Sequence, residues 1–159
     1  METTPRVRPA TAADADEIAR LRWNFSQEWH EPTEPEDAFL RRMASEVRRY
    51  LANGNWSIWV AEDPAGARRL IANAFLQRVD KVPRPYQRPG SWGYITNVYV
   101  DPAWRDHGLG RAIMDVAIAS AREEGLDTLL LWPSPRAIPF YERAGFAPAT
   151  GAMEMALDE

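Results

Sequence analysis

The chain contains no cysteine, one lysine (Lys81) and only two histidines, His30 and His107. Without a thiol there is no disulfide framework, no thiolate metal site and no covalent acyl-cysteine intermediate. Two histidines this far apart form no metal-ligand cluster, so no metal is expected. No apolar run approaches the roughly 20 residues needed to span a bilayer. The opening METTPRVRPATAADADE is charged and lacks the apolar core of a signal peptide. These absences predict a soluble, cytoplasmic protein with no membrane partner. A formal net charge of −4 leaves no basic excess, which argues against nucleic acid as a partner. The predominance of arginine over lysine reads as compositional bias. The 159 residues, 45% of them hydrophobic, are enough for one domain with a proper core, taken as 1–159.

Thr11 followed by Asp14 reads as a helix start, and Ile18, Leu21, Phe25 and Trp29 recur at helical spacing on one face. Thr33 to Glu36, with Pro35 in the first turn, opens a second helix whose apolar face is Phe39, Leu40, Met43, Val47 and Leu51. Asn53-Gly54 stops it. Strands follow at Trp56–Glu62 and Leu70–Val79, joined by Asp63-Pro64-Ala65-Gly66 into an antiparallel hairpin. The stretch from Asp80 to Gly90 carries Pro83, Pro85 and Pro89 and reads as an ordered, irregular loop. A third strand, Trp92–Val100, is aromatic and β-branched. A helix from about Gly110 to Glu124 buries Ile113, Val116, Ala117 and Ala121 and stops at Gly125. Asp127–Trp132 reads as a strand buried on both faces. Ser134-Pro135 opens a short helix ending at Gly145, and Phe146–Leu157 has room for one or two edge strands. The fold class is α+β, and the strand–helix–strand crossover predicts a neighbouring parallel pair.

The chemistry concentrates where the third strand ends. In Val98-Tyr99-Val100-Asp101-Pro102-Ala103-Trp104-Arg105-Asp106-His107-Gly108-Leu109-Gly110-Arg111, Pro102 breaks the ladder and Gly108 and Gly110 lead into a helix. Such a turn lets backbone N–H groups form a nest backed by the positive end of the helix dipole, which suits a pyrophosphate. Arg105 and Arg111 flank it and could add charge-assisted hydrogen bonds. On Gly-x-Gly alone, a merely tight turn is the simpler reading. A dinucleotide fingerprint fails because its third small position falls on Ile113.

The order Val98-x-Val100-x-Pro102-x-x-Arg105-x-x-Gly108-x-Gly110 resembles the acetyl-coenzyme A signature of the GNAT N-acetyltransferases. The run from Ser134 to Phe146 resembles that family's second signature, Asn-x-x-Ala-x-x-Phe-Tyr-x-x-x-Gly-Phe. The resemblance implies a mixed, mostly antiparallel sheet flanked by about four helices, with a central parallel pair splayed into a V. It implies a ternary complex in which an amine attacks acetyl-coenzyme A bound along Val98, Tyr99, Val100, Arg105, Asp106, His107, Gly108, Leu109, Gly110, Arg111, Ser134 and Tyr141. The backbone N–H of Val98, or one a residue away, is then the oxyanion donor. Tyr141 matches the usual general acid; an aromatic packed on the sheet is the other reading of that residue. A homodimer is implied by resemblance alone.

Three positions depart from the pattern: Ser134 replaces the usual Asn, Pro139 interrupts the last helix, and Asp106 stands where Gly is common. The third strand offers Gly93-Tyr94-Ile95-Thr96-Asn97 and no carboxylate base, which leaves a water chain from a Glu or Asp elsewhere, with Tyr94 and Asn97 as candidate relays. Those departures keep open a repurposed acyl-coenzyme A-binding module. By the same resemblance the acceptor site draws on the first two helices. There Glu28, Glu31, Glu34, Glu36 and Asp37, with Trp23 and Trp29, offer either an acidic aromatic pocket for a cation or a solvated loop with Trp29 in the core.

Overall fold

A computed structural model describes residues 5–86 and 90–158. Its elements in chain order are β1 (Val7–Pro9), α1 (Ala15–Gln27), α2 (Glu36–Ala52), β2 (Trp56–Glu62), β3 (Leu70–Asp80), β4 (Ser91–Val100), α3 (Leu109–Glu123), β5 (Thr128–Leu130) and α4 (Ile138–Arg143). The sheet order is β1-β2-β3-β4-β5. All neighbours run antiparallel except β4 and β5, the parallel pair joined through α3.

β3 is the central strand, and its apolar run is buried on both faces. On one face Ile71, Ala74 and Leu76 meet Ile113, Met114 and Ala117 of α3. On the other, Leu70 and Phe75 meet Ile18 and Leu21 of α1 and Val47 of α2. The helical stripes read from spacing thus face the sheet. Tyr50 of α2 stacks on Trp56 at 4.4 Å, clamping that helix over the start of β2.

Polar ties hold α1 in place. Arg8 on β1 forms a two-pronged bridge to Asp14 at 2.8 and 2.9 Å and also reaches Glu62 at the end of β2. Asp14 accepts the Thr11 backbone N–H at 2.7 Å as well. One turn on, Glu17 accepts the Leu70 N–H at 3.0 Å while Arg20 donates to the Leu70 carbonyl at 2.8 Å. Both backbone groups at the head of β3 are satisfied from α1.

The structure corrects four expectations. β1 was not foreseen; three residues ending in proline carry too weak an alternation to announce a strand. α1 ends at Gln27, so Trp29 lies beyond the helix and is exposed, while Trp23 is the buried tryptophan. β5 is shorter than Asp127–Trp132 and is only half-buried, because it is an edge strand with no neighbour on its far side. Beyond Phe146 the described tail forms no strand: β5 pairs through only three residues, and Met153, Met155 and Leu157 stand in solvent. In the loop before β4, Lys81 bonds Gly90 and Asp127; Pro89 lies outside the described residues. Among the described residues no helix is long and apolar enough to cross a membrane.

The Arg8 guanidinium holds the Asp14 carboxyl below its ordinary value, against the opposing effect of burial. A carboxylate with a depressed folded pKa contributes stability that is present above the unfolded value near ~4 and lost as pH falls through the folded one. Asp14→Asn is therefore expected to cost about 1.5–3 kcal/mol at neutral pH. Urea denaturation at neutral and acidic pH checks this: the gap between wild type and variant should shrink below about pH 4.

Candidate active site

The site begins with a break in the β3–β4 ladder. Asn73 pairs with Tyr99 and Phe75 with Thr96, so Asn97 and Val98 oppose Ala74 alone in a bulge. Asn97 takes φ +49°, a left-handed conformation that asparagine tolerates better than most residues. Its carbonyl is captured by the Asn73 side-chain amide at 2.5 Å, and Asn73 is fully buried at the centre of the sheet. The other side-chain ends, Asn73 Oδ1 and Asn97 Nδ2, are buried without protein partners.

On the far side β4 pairs with β5 only through Trp92, Gly93 and Tyr94. The strands touch most closely at Gly93, where a Cβ would fall 2.5 Å from Leu76 and 2.7 Å from Leu129. From Ile95 onward β4 has no partner on that side, and the two strands diverge. The opening is a cleft of about 900 Å³.

The glycine turn closes one end of it. Gly108 adopts φ +80° immediately before α3, and Asp106 is left-handed at φ +64°. Arg105 is folded back rather than extended: its Nε donates to the Val100 carbonyl at 2.9 Å, its Nη2 bridges to Glu28, and its plane lies over Tyr99 at 5.5 Å. Tyr99 is buried and stacks on Phe25, and burial raises its phenol. Arg111 binds Asp115 at 2.7 Å and the Arg143 carbonyl at 2.7 Å, joining α3 to α4.

Across the cleft, Ser134 heads a 3-10 turn, its carbonyl accepting from Ala137 at 2.9 Å, while its hydroxyl makes no capping bond. Tyr141 sits edge-on to Phe140 at 5.0 Å and to Phe146 at 5.8 Å. Its burial pushes the phenol up to about 12. Arg136 reaches back to Glu28 at 3.3 Å and lies over Trp29 at 5.0 Å, linking the two walls.

Of the residues singled out from sequence, all but His107 and Leu109 line this cleft. The His107 ring turns to the Arg105 carbonyl at 2.6 Å, and Leu109 is buried in the core beneath α3. Among the acidic residues of the first helices only Glu28 lines the cleft, and it is neutralised by Arg105 and Arg136; Glu34 and Asp37 pair with Arg42 and Arg41. Of the two readings of this acidic region, the pocket does not form among the described residues; Glu34 and Asp37 belong to a solvated surface, although Trp29 is exposed rather than in the core. The lining carries five arginines against two carboxylates in a chain of net charge −4. Sequence reasoning missed Arg22, Asn73 and Arg136. Asn73 had a signal, a carboxamide inside an apolar strand run. Arg22 had one too: it sits four residues after Ile18 and three before Phe25, on the apolar face of α1.

The chain belongs to the acetyltransferase (GNAT) family, whose model matches residues 15–146. It is 35% identical over 78 residues to the glucosamine 6-phosphate N-acetyltransferase of Trypanosoma brucei brucei, covering 49% of this chain and 51% of that protein. It is 38% identical over 110 residues to serotonin N-acetyltransferase 2, chloroplastic, of Oryza sativa subsp. japonica, covering 69% and 50%. The chain spans about half the length of these curated relatives. The fold is shared with a predicted acetyltransferase of Clostridium acetobutylicum solved with acetyl-CoA, with TM-score 0.79 and 24% identity over 97% of each chain.

Because Asn73 holds the bulge, Asn73→Leu should remove a buried hydrogen bond and leave the Asn97 carbonyl unpaired. The expected loss is about 1–3 kcal/mol of stability. Chemical denaturation measures it. An unchanged midpoint would show that the bulge stands without this contact.

Proposed function

We propose that the protein transfers an acetyl group from acetyl-coenzyme A to a primary amine, by direct attack in a ternary complex. The observation that carries this reading is the cleft itself. Its walls are the diverging β4 and β5, with a glycine turn and helix N-terminus at one end and a half-buried phenol in its lining. The family membership and the acetyl-CoA in the Clostridium structure support it.

In this reading the turn from Arg105 to Arg111 receives the pyrophosphate on backbone N–H groups at the start of α3. Arg105 acts by bracing the loop, since its guanidinium is committed to Val100 and Glu28. The pantetheine arm lies along Val98, Tyr99 and Val100, where β4 has no partner on its β5 side. Asn97 and Val98 fall outside the β3 register. A bulge N–H turned to the thioester carbonyl would stabilise the oxyanion by about 3–4 kcal/mol.

The amine nitrogen attacks the thioester carbonyl carbon and an oxyanion forms. Its collapse breaks the carbon–sulfur bond, and Tyr141 gives its proton to the departing thiolate. The proton lost from nitrogen passes by way of Tyr94, Asn97 and solvent, and solvent restores the phenol. No strand carboxylate is needed in this scheme. A phenol pushed up to about 12 is protonated throughout the neutral range, the state an acid must hold. Ser134 meets the arm with a hydroxyl that its own turn leaves free.

Two measurements test the reading. Acetyl-coenzyme A at about 100 times its dissociation constant should raise the melting temperature by roughly 5–10 °C, with coenzyme A similar and NAD or NADP without effect. No shift with either coenzyme A form would sink the acetyltransferase reading. Tyr141→Phe should lower kcat by about 100-fold or more while leaving that melting shift in place. Turnover at the wild-type rate in the variant would remove Tyr141 from the mechanism. Stable binding without turnover of any amine would favour a repurposed binding module.

A further inference from the structure

Five arginines are partly buried among the described residues: Arg8, Arg20, Arg22, Arg78 and Arg105. Four of them are met by carboxylates: Arg8 by Asp14 and Glu62, Arg20 by Glu17, Arg78 by Glu124, and Arg105 by Glu28. Among the described residues no carboxylate lies within bridging distance of Arg22. Its recorded contacts are the Asn97 side-chain oxygen at 3.3 Å and the face of Phe25 at 5.3 Å. A guanidinium carries five N–H donors, so most of this one's capacity is unused. The group lines the cleft, at the bulge where β4 leaves β5.

A charged group taken from water without a countercharge costs free energy. Burial accordingly lowers the Arg22 pKa, with the Tyr94 hydroxyl opposing that shift. The fold meets this cost at the other partly buried arginines with an acid of its own. At Arg22 it leaves the countercharge to something that enters the cleft. The planar fork of a guanidinium matches an oxyanion with two accepting oxygens.

The position decides whose anion it is. On the acetyltransferase reading, on which this inference rests, the phosphates of coenzyme A lie at the glycine turn after β4. The thioester lies upstream at the bulge of Asn97 and Val98. Arg22 is joined to the bulge by the Asn97 side chain and comes from α1, outside the β4–β5 wall. We infer that Arg22 binds an anionic group, a carboxylate or a phosphate, carried by the amine acceptor itself. The acceptor is then a small molecule bearing both an amine and an oxyanion. This is the opposite charge to the cation that an acidic pocket would have taken; the one carboxylate that the first two helices and their loop place in the cleft, Glu28, is already neutralised.

The test is a matched panel of acceptors assayed by thiol release from acetyl-coenzyme A. One arm compares free amino acids with their carboxamides. The other compares amino sugars with their 6-phosphates. Wild-type protein should use the anionic member of one arm with kcat/KM about 10- to 100-fold higher than its neutral partner. The arm that discriminates identifies carboxylate or phosphate as the source. Arg22→Gln should erase that preference, bringing the ratio of anionic to neutral kcat/KM to about 1, while the acetyl-coenzyme A melting shift stays in place. Arg22→Lys should restore part of it. Equal or better use of the neutral members overturns the inference, as does a preference that survives in Arg22→Gln. It also fails if acetyl-coenzyme A raises the melting temperature but no member of either arm is acetylated. If acetyl-coenzyme A itself produces no shift, the acetyltransferase reading fails first and takes this inference with it.

Discussion

The Asn73 side chain is the constraint on which the cleft depends. A sheet strand between two neighbours ordinarily spends its backbone groups on both ladders. Here β4 loses register with β3 at Asn97 and Val98, and the carbonyl freed by that slip is taken up by Asn73 from the next strand. Without such a partner, a buried carbonyl at a left-handed residue would be costly, and a regular ladder would be favoured. With it, the bulge is supported, and the bulged residues fall on the stretch of β4 that has no β5 partner. One carboxamide in an otherwise apolar strand thus supports the bulge that borders the cavity.

Helix α1 supplies the other wall, and its position is over-determined. Asp14 and Arg8 tie its entry to β1 and β2, Glu17 and Arg20 tie its second turn to the head of β3, and Glu28 ties its exit to Arg105 and Arg136. These bonds fix the helix along its length. A side chain from its middle turn, Arg22, is therefore presented to the bulge in a defined place. The same Glu28 braces the glycine turn through Arg105, so that turn and α1 share one anchor.

The sequence made much of this legible. β2 is bounded as read, the helix stripes face the core, and the parallel pair follows from the length of the crossover. The residues singled out from Val98 onward, His107 and Leu109 excepted, also line one cleft, because their spacing is set by a single strand–turn–helix unit and by one short helix. What was not legible depends on three-dimensional pairing. Arg105 and Arg111 look from sequence like free cations flanking an anion site, yet each is held by distant groups, Glu28 in one case and the Arg143 carbonyl in the other. Trp29 fits the α1 stripe by spacing, but the helix ends before it. The alternating Met153, Met155 and Leu157 have strand character, but a strand exists only if a ladder accepts it, and the edge of β5 is three residues long.

The most informative residues are those whose local chemistry the fold does not complete. A net-acidic chain has enough carboxylates to satisfy its arginines, and it does so at the other partly buried ones. Tyr141 is likewise half-buried among aromatic rings with no hydrogen bond from the described residues. Both groups line the same cleft, one on each side of the diverging strands. Each unmet requirement has a definite chemical sign. The phenol has a proton to give and the guanidinium lacks an anion. In the proposed reaction these needs are complementary to two different molecules: a thiolate leaving along β4 takes the proton, and an acceptor entering past α1 brings the anion. A fold that left both groups open for structural reasons alone would gain nothing from the desolvation they carry. On the proposed reaction, their incompleteness is part of how the cleft distinguishes its two substrates.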